Sequence, residues 1–206
     1  LIYNEDFDAV LFDFDGTLVD SEPLHFAAWN QALAPLGVTL SWSDYEANCI
    51  GVADRAMVEQ LAAALAMPFE RLFERFPRKK ELFQAMVLDA PPMPGEIVRL
   101  LQEEWPIPIG LVTSSYSLEV EPVLERLGLA ERFGVRVFGD QVANLKPHPE
   151  PYLRAAEALG AKRPLVFEDS AAGIASAQAA GFPVVQVPQP EDLPRLVRSN
   201  LSKLGL

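Results

Sequence analysis

Two carboxylates, Asp13 and Asp15, stand two residues apart behind the apolar run Ala9-Val10-Leu11-Phe12 and directly ahead of Gly16. Acidic groups at the end of a buried segment are costly unless a cation or hydrogen-bond donors compensate them. Mg²⁺ does this well, because it prefers hard oxygen ligands and commonly takes one or two carboxylates together with phosphate oxygens and water. A carboxylate is also ionised at neutral pH. One of the pair can therefore attack phosphorus without a base and form an aspartyl phosphate. The other can do acid–base work on the leaving oxygen and on water. The plainer reading of an Asp-x-Asp pair is an acidic loop capping a helix. The longer string Asp13-Phe14-Asp15-Gly16-Thr17-Leu18-Val19-Asp20, placed after an apolar run, is the more specific signal.

Three further groups end apolar runs or sit in short loops. Thr113 and Ser114 close Ile109-Gly110-Leu111-Val112, where a turn or helix cap is the plainer reading. Lys146 lies in Asn144-Leu145-Lys146-Pro147-His148-Pro149, and a lone loop lysine is more often solvated. Glu168 and Asp169 follow Leu165-Val166-Phe167, again two acids behind an apolar run.

The elements that must position these groups alternate. A short continuous apolar run such as Ala9–Phe12 suits a buried parallel strand. Ser21-Glu22-Pro23 reads as a helix start with a serine cap, and the pattern stays helical to about Asp89, broken at Gly51 and at Met67-Pro68. Ala90-Pro91-Pro92-Met93-Pro94-Gly95 is a linker or hinge. Behind it, helices at Glu96–Glu104, Leu118–Leu127, Glu150–Leu159 and Ala171–Ala180 alternate with strands at Ile107–Val112, Val135–Phe138, Pro164–Phe167 and Pro183–Val187. Such alternation gives an α/β fold with a parallel sheet. The expected organisation is a Rossmann-like core from 1–20 plus 91–206 with an inserted all-helical cap, 21–90. The first strand must join the later ones, which places the insert above the carboxyl edge as a lid.

At the Asp13–Asp20 string the sequence resembles the haloacid dehalogenase-like hydrolase superfamily, closest to its small-capped phosphatases and β-phosphoglucomutases. The resemblance runs from Asp8 to Val187. It implies Asp13 as nucleophile, Asp15 as acid and base, and Thr113 as a phosphate-binding hydroxyl with Ser114 offering its N–H. It implies Lys146 as the cation beside Asp13 and the phosphoryl group, and Gly16 in the phosphate-binding loop. Mg²⁺ would be held by Asp13, the main-chain carbonyl of Asp15 and Asp169, with Glu168 as a supporting acid or an additional ligand. Asp15 argues against a dehalogenase, which needs no acid for its leaving group. No lysine precedes Lys79 in the insert, which argues against a Schiff-base phosphonate hydrolase.

Within the branch the reading is a phosphatase acting on a small phosphate monoester, a sugar phosphate being the expected class. The alternative is a β-phosphoglucomutase-like phosphomutase, and a catalytically silent sensor is third. Substrate contacts are expected from His25, from Gly51 and Arg55 of the loop Ile50-Gly51-Val52-Ala53-Asp54-Arg55, and from Lys79 of Arg78-Lys79-Lys80. His25 packing at the hinge, Arg55 on a helix surface and Arg78–Lys80 as a solvated face are the plainer alternatives. Asp54 stands where mutases carry the arginine that grips a second phosphate, which weakens the mutase case.

The 206 residues are 50% hydrophobic and 22% charged, enough for a packed core. A formal net charge of -12 argues against nucleic-acid and anionic-membrane partners, but not against an anionic metabolite bound beside a metal. One cysteine, Cys49, excludes an internal disulfide. Neither a signal peptide nor a spanning segment is visible, so a cytoplasmic, monomeric enzyme is expected.

Overall fold

The computed structural model describes residues 7–49 and 54–202. In chain order the elements are β1 (Ala9–Phe12), α1 (Glu22–Leu33), α2 (Trp42–Asn48), α3 (Asp54–Ala64), α4 (Phe69–Phe73) and α5 (Phe76–Asp89). They continue with α6 (Gly95–Gln102), β2 (Ile109–Val112), α7 (Ser117–Arg126) and β3 (Val135–Val137). The chain then forms α8 (Glu150–Leu159), β4 (Pro164–Glu168), α9 (Ala171–Ala179), β5 (Val184–Gln186) and α10 (Leu193–Leu201). Two compact units result: Leu1–Asp20 with Pro91–Leu206, and Ser21–Ala90.

The first unit carries a five-stranded sheet in the order β3-β2-β1-β4-β5. Every pairing is parallel. After β1 the chain builds outward through β2 and β3 on one side, then returns to add β4 and β5 on the other. The order reverses at β1, and ligands of open α/β sheets bind outside the carboxyl ends of strands at such a reversal. Register does the rest. Phe12 pairs with Leu111 and with Phe167, so Asp13, Val112 and Glu168 come level at one edge.

Apolar side chains cover both faces of this sheet. Leu11, Val112, Val137 and Val166 pack with Tyr152 and Ala155 of α8 and Ala177 of α9. Phe12 stacks on Phe167 and meets Trp105 edge-on, with centroids 5.4 and 5.7 Å apart. At the opposite edge the Asp8 carboxylate accepts from the Lys162 and Arg163 N–H groups at 2.8 and 2.9 Å, tying the entry of β1 to that of β4. The apolar runs of the sequence mark no element after Val187, but α10 forms there. It buries Leu193, Val197 and Leu201, spaced at four, and Arg198 pairs with Glu103 at 2.9 Å.

The helical unit has its own core, built from Trp29, Leu33, Tyr45, Val58, Leu61 and Leu72 among others. Ser41 caps α2 by accepting from the Asp44 N–H at 3.1 Å. The expected side-chain cap at Ser21 does not form. Its backbone is helical (φ -83, ψ -16), and α1 instead uses the Ser21 carbonyl, which accepts from His25 N at 3.0 Å. No helix among the described residues is long and apolar enough to cross a membrane.

Candidate active site

Asp13, Lys146 and Glu168 meet at the carboxyl edge. The Lys146 ammonium has three donors and spends them on Asp13 Oδ1 at 2.6 Å, Glu168 Oε1 at 2.7 Å and the Val112 carbonyl at 2.9 Å. All three acceptors belong to positions that the register brings level. Lys146 is buried, so the plainer reading of a solvated loop lysine is excluded. Its loop is held from both ends. Glu150, in the first turn of α8, accepts from the Ala143 and Asn144 N–H groups at 2.8 and 3.0 Å, and Ser176 Oγ donates to the His148 carbonyl at 2.6 Å.

Glu168 is fully buried and saturated with donors. Oε1 takes Lys146 and the Tyr152 hydroxyl (3.3 Å), while Oε2 takes the Ser170 N–H and hydroxyl at 2.7 and 3.0 Å. It therefore orients Lys146 and the turn that enters α9. That helix approaches closely because residue 173 is glycine, where a Cβ would overlap the Glu168 carboxylate. Tyr152, also under Lys146 with its ring centroid 5.0 Å from Nζ, was not singled out in the sequence.

Asp13, Glu168 and Asp169 each offer a carboxylate oxygen within 4.8 Å of the others. Such crowding of acids away from water disfavours their ionised forms. Burial pushes the Asp13 carboxyl well above the usual range, Lys146 pulls it back, and Glu168 and Asp169 add to the rise. Asp169 is pushed up to about 6 by burial and by Glu168. Burial works against the charged form of Lys146, yet Asp13, Tyr152 and Glu168 around it hold the ammonium well above the usual lysine range. One buried cation thus pairs with two of three crowded acids, and this donor set fits a further hard cation such as Mg²⁺.

The neighbouring loop completes the arrangement. Gly16 takes a positive φ of 80°, and a Cβ there would overlap Asp169 Oδ2, so only glycine lets the Asp15–Thr17 turn lie against Asp169. Thr17 Oγ1 donates to Asp169 Oδ1 at 3.2 Å. Thr113 is buried at the end of β2, where its hydroxyl accepts from the Ser115 N–H at 3.0 Å. Ser114 is exposed. The Asp15 carboxylate accepts from the Ser115 hydroxyl at 2.6 Å, a partner that sequence reasoning missed.

Residues 10–187 match the profile of the Haloacid dehalogenase-like hydrolase family. The chain belongs to this family. A phosphorylated carbohydrates phosphatase of Thermotoga maritima is 35% identical over 85% of this hydrolase and 82% of that protein. A fructose-1-phosphate phosphatase of Escherichia coli is 30% identical over 89% and 97% of the two chains. Among solved structures, a Thermotoga maritima protein provisionally assigned as a beta-phosphoglucomutase superimposes with a TM-score of 0.67 at 28% identity, covering 93% of this hydrolase and 99% of that chain.

The remaining expected residues of this hydrolase lie at 21–90. Gly51 and the side chain of Arg55 fall outside the described residues. His25 of α1 and Lys79 of α5 are brought together: Lys79 Nζ lies 2.8 Å from His25 Nδ1, and the imidazole stacks on Phe83 at 3.8 Å. Lys79 is 5% exposed and also faces the Trp29 ring, so the solvated-face reading fails for it, though it holds for Arg78, which pairs with Glu81 at the surface.

Burial, and then the Lys79 charge, lower His25 from 6.5 to about 3. Between those values the unfolded chain binds a proton that the folded one refuses. The stability His25 permits is therefore complete above pH 6.5 and declines as pH falls towards 3. The slope is about 1.4 kcal/mol per pH unit, so the loss reaches up to about 2 kcal/mol near pH 5. Thermal unfolding of H25F is expected to fall less than wild type on moving from about pH 7.5 to about pH 5. Parallel declines would exclude His25 as the source.

Proposed function

We propose that this enzyme is a Mg²⁺-dependent phosphatase that hydrolyses a small phosphate monoester, a sugar phosphate being the favoured class, through an aspartyl phosphate on Asp13. The observation that carries the reading is the buried ion pair between Lys146 and Asp13 at the carboxyl edge of β1, with Asp15 two residues on. Phosphatase names among the relatives support it.

An Asp13 oxygen forms a bond to phosphorus as the bond to the leaving oxygen breaks, and Asp15 delivers its proton to that oxygen. Asp15 then takes a proton from water, which attacks phosphorus and releases Asp13 as a carboxylate. Lys146 offsets part of the rise that burial imposes on the Asp13 carboxyl and faces the charge that develops on the phosphoryl oxygens. Thr113 and the N–H of Ser114 offer donors that add no charge. Asp13, Asp169 and the Asp15 carbonyl are the residues that would hold Mg²⁺, with Glu168 beside them. When bound, the ion neutralises phosphate charge and fixes its orientation.

A phosphomutase is the second reading. The beta-phosphoglucomutase assignment of the Thermotoga maritima structural neighbour favours it. A silent sensor is disfavoured because Asp13, Asp15, Lys146 and Asp169 are all present.

The test is phosphate release from a panel of sugar and small-metabolite phosphates in Mg²⁺. EDTA is expected to reduce turnover at least ~100-fold, with recovery on adding Mg²⁺ back. Full activity in EDTA would sink the metal requirement. Conversion of β-glucose 1-phosphate to glucose 6-phosphate without net phosphate release would establish the mutase instead.

A further inference from the structure

Ser115 lies one residue past the pair that the sequence singles out, and three contacts fix it. Its N–H donates to Thr113 Oγ1 at 3.0 Å, its carbonyl accepts from the Gly139 N–H at 2.9 Å, and its hydroxyl donates to Asp15 Oδ2 at 2.6 Å. Gly139 makes the second contact possible, since a Cβ there would overlap the Ser114 carbonyl oxygen. The main chain of Ser115 is thus clamped on both sides. Its hydroxyl is a fixed donor, at a distance usual for a hydroxyl on a carboxylate.

We infer that Ser115 is the positioning residue for the leaving-group acid: its hydroxyl sets the rotation of the Asp15 carboxyl and so aims the proton. The inference rests on the reading of Asp15 as that acid. The oxygen that accepts from Ser115 is Oδ2, which assigns the transferred proton to Oδ1. As Asp13 bonds to phosphorus, the phosphorus–oxygen bond to the leaving group breaks, and its electron pair takes the proton from Oδ1. The terminal torsion of aspartate is broad and roughly two-fold. Without the Ser115 bond the carboxyl loses a fixed donor to Oδ2, and the acid is misdirected for part of its time. A basic leaving group depends on that proton, whereas a weakly basic one departs without it.

Aryl phosphates of similar shape and graded leaving-group basicity separate the two cases: p-nitrophenyl, phenyl and p-methoxyphenyl phosphate. In S115A, kcat for p-methoxyphenyl phosphate is expected to fall by about tenfold or more, while p-nitrophenyl phosphate stays within about twofold of wild type. S115T, which keeps the hydroxyl, is expected to restore the wild-type gradient. S115C, a weaker donor, should lie between. D15N serves as the control and should show a larger loss graded in the same direction. A graded D15N with S115A and S115C unchanged, or slowed equally on all three esters, overturns the role of Ser115 and leaves that of Asp15. An ungraded D15N overturns the reading of Asp15 itself.

Discussion

Asp13→Asn is expected to abolish turnover, lowering kcat by roughly 10⁴-fold or more, because it removes the nucleophile and not merely a contact. The amide keeps the volume of the carboxylate, and Lys146 keeps Glu168 Oε1 and the Val112 carbonyl. The fold should therefore survive, and thermal unfolding should change by only a few degrees. That separates a chemical defect from a collapsed site. The decisive readout is covalent: rapid quenching of wild type with labelled substrate should trap a phosphoenzyme, and D13N should trap none. Label retained on D13N, or activity above about a tenth of wild type, would falsify the assignment of Asp13.

Lys146→Met should damage both stability and rate. The side chain is buried between Asp13 and Glu168, so its loss leaves two buried acids without their shared cation. Breaking a buried pair by removing one partner costs about 3–5 kcal/mol. For a chain of this size, that corresponds to a fall in unfolding midpoint of very roughly 6–20 °C. Turnover should fall by about 10²–10³-fold, the scale seen when one preorganised donor to a developing oxyanion is lost. Mg²⁺ gives a cross-check. With the lysine gone, the acids have more to gain from the ion, so added Mg²⁺ should raise the midpoint of K146M by more than that of wild type. A variant as stable as wild type and no more responsive to Mg²⁺ would mean that Lys146 is not what compensates these acids.

Much of this protein was legible in the chain. Ala9–Phe12, Ile109–Val112 and Pro164–Glu168 are fully buried strands, each announced by an apolar run that stops at a polar or acidic residue. The local pattern fails where its signal is short or embedded. Helix α10 is carried by three apolar residues at a spacing of four behind Pro190, with Pro194 among them, which looks like a tail until it packs with α6. Lys79 sits in a run of three basic residues that reads as one solvated face, yet it is buried against His25 and the Trp29 ring while Arg78 pairs with Glu81 at the surface.

The sequence by itself determined the chemistry on offer: two acids behind one strand, two behind another, a hydroxyl and a lysine, in an order that matches a hydrolase family. Those are properties of residue type and short spacing. Only the tertiary structure decided which group holds which. Lys146 reaches Asp13 across 133 residues, and Ser115 reaches Asp15 across 100. Parallel register makes distant strand ends level, and the direction of a hydrogen bond depends on rotamers set by packing from several elements at once. No local pattern carries that information, so the partners that orient Asp13, Asp15 and Lys146 became visible only when the sheet had brought its carboxyl ends together.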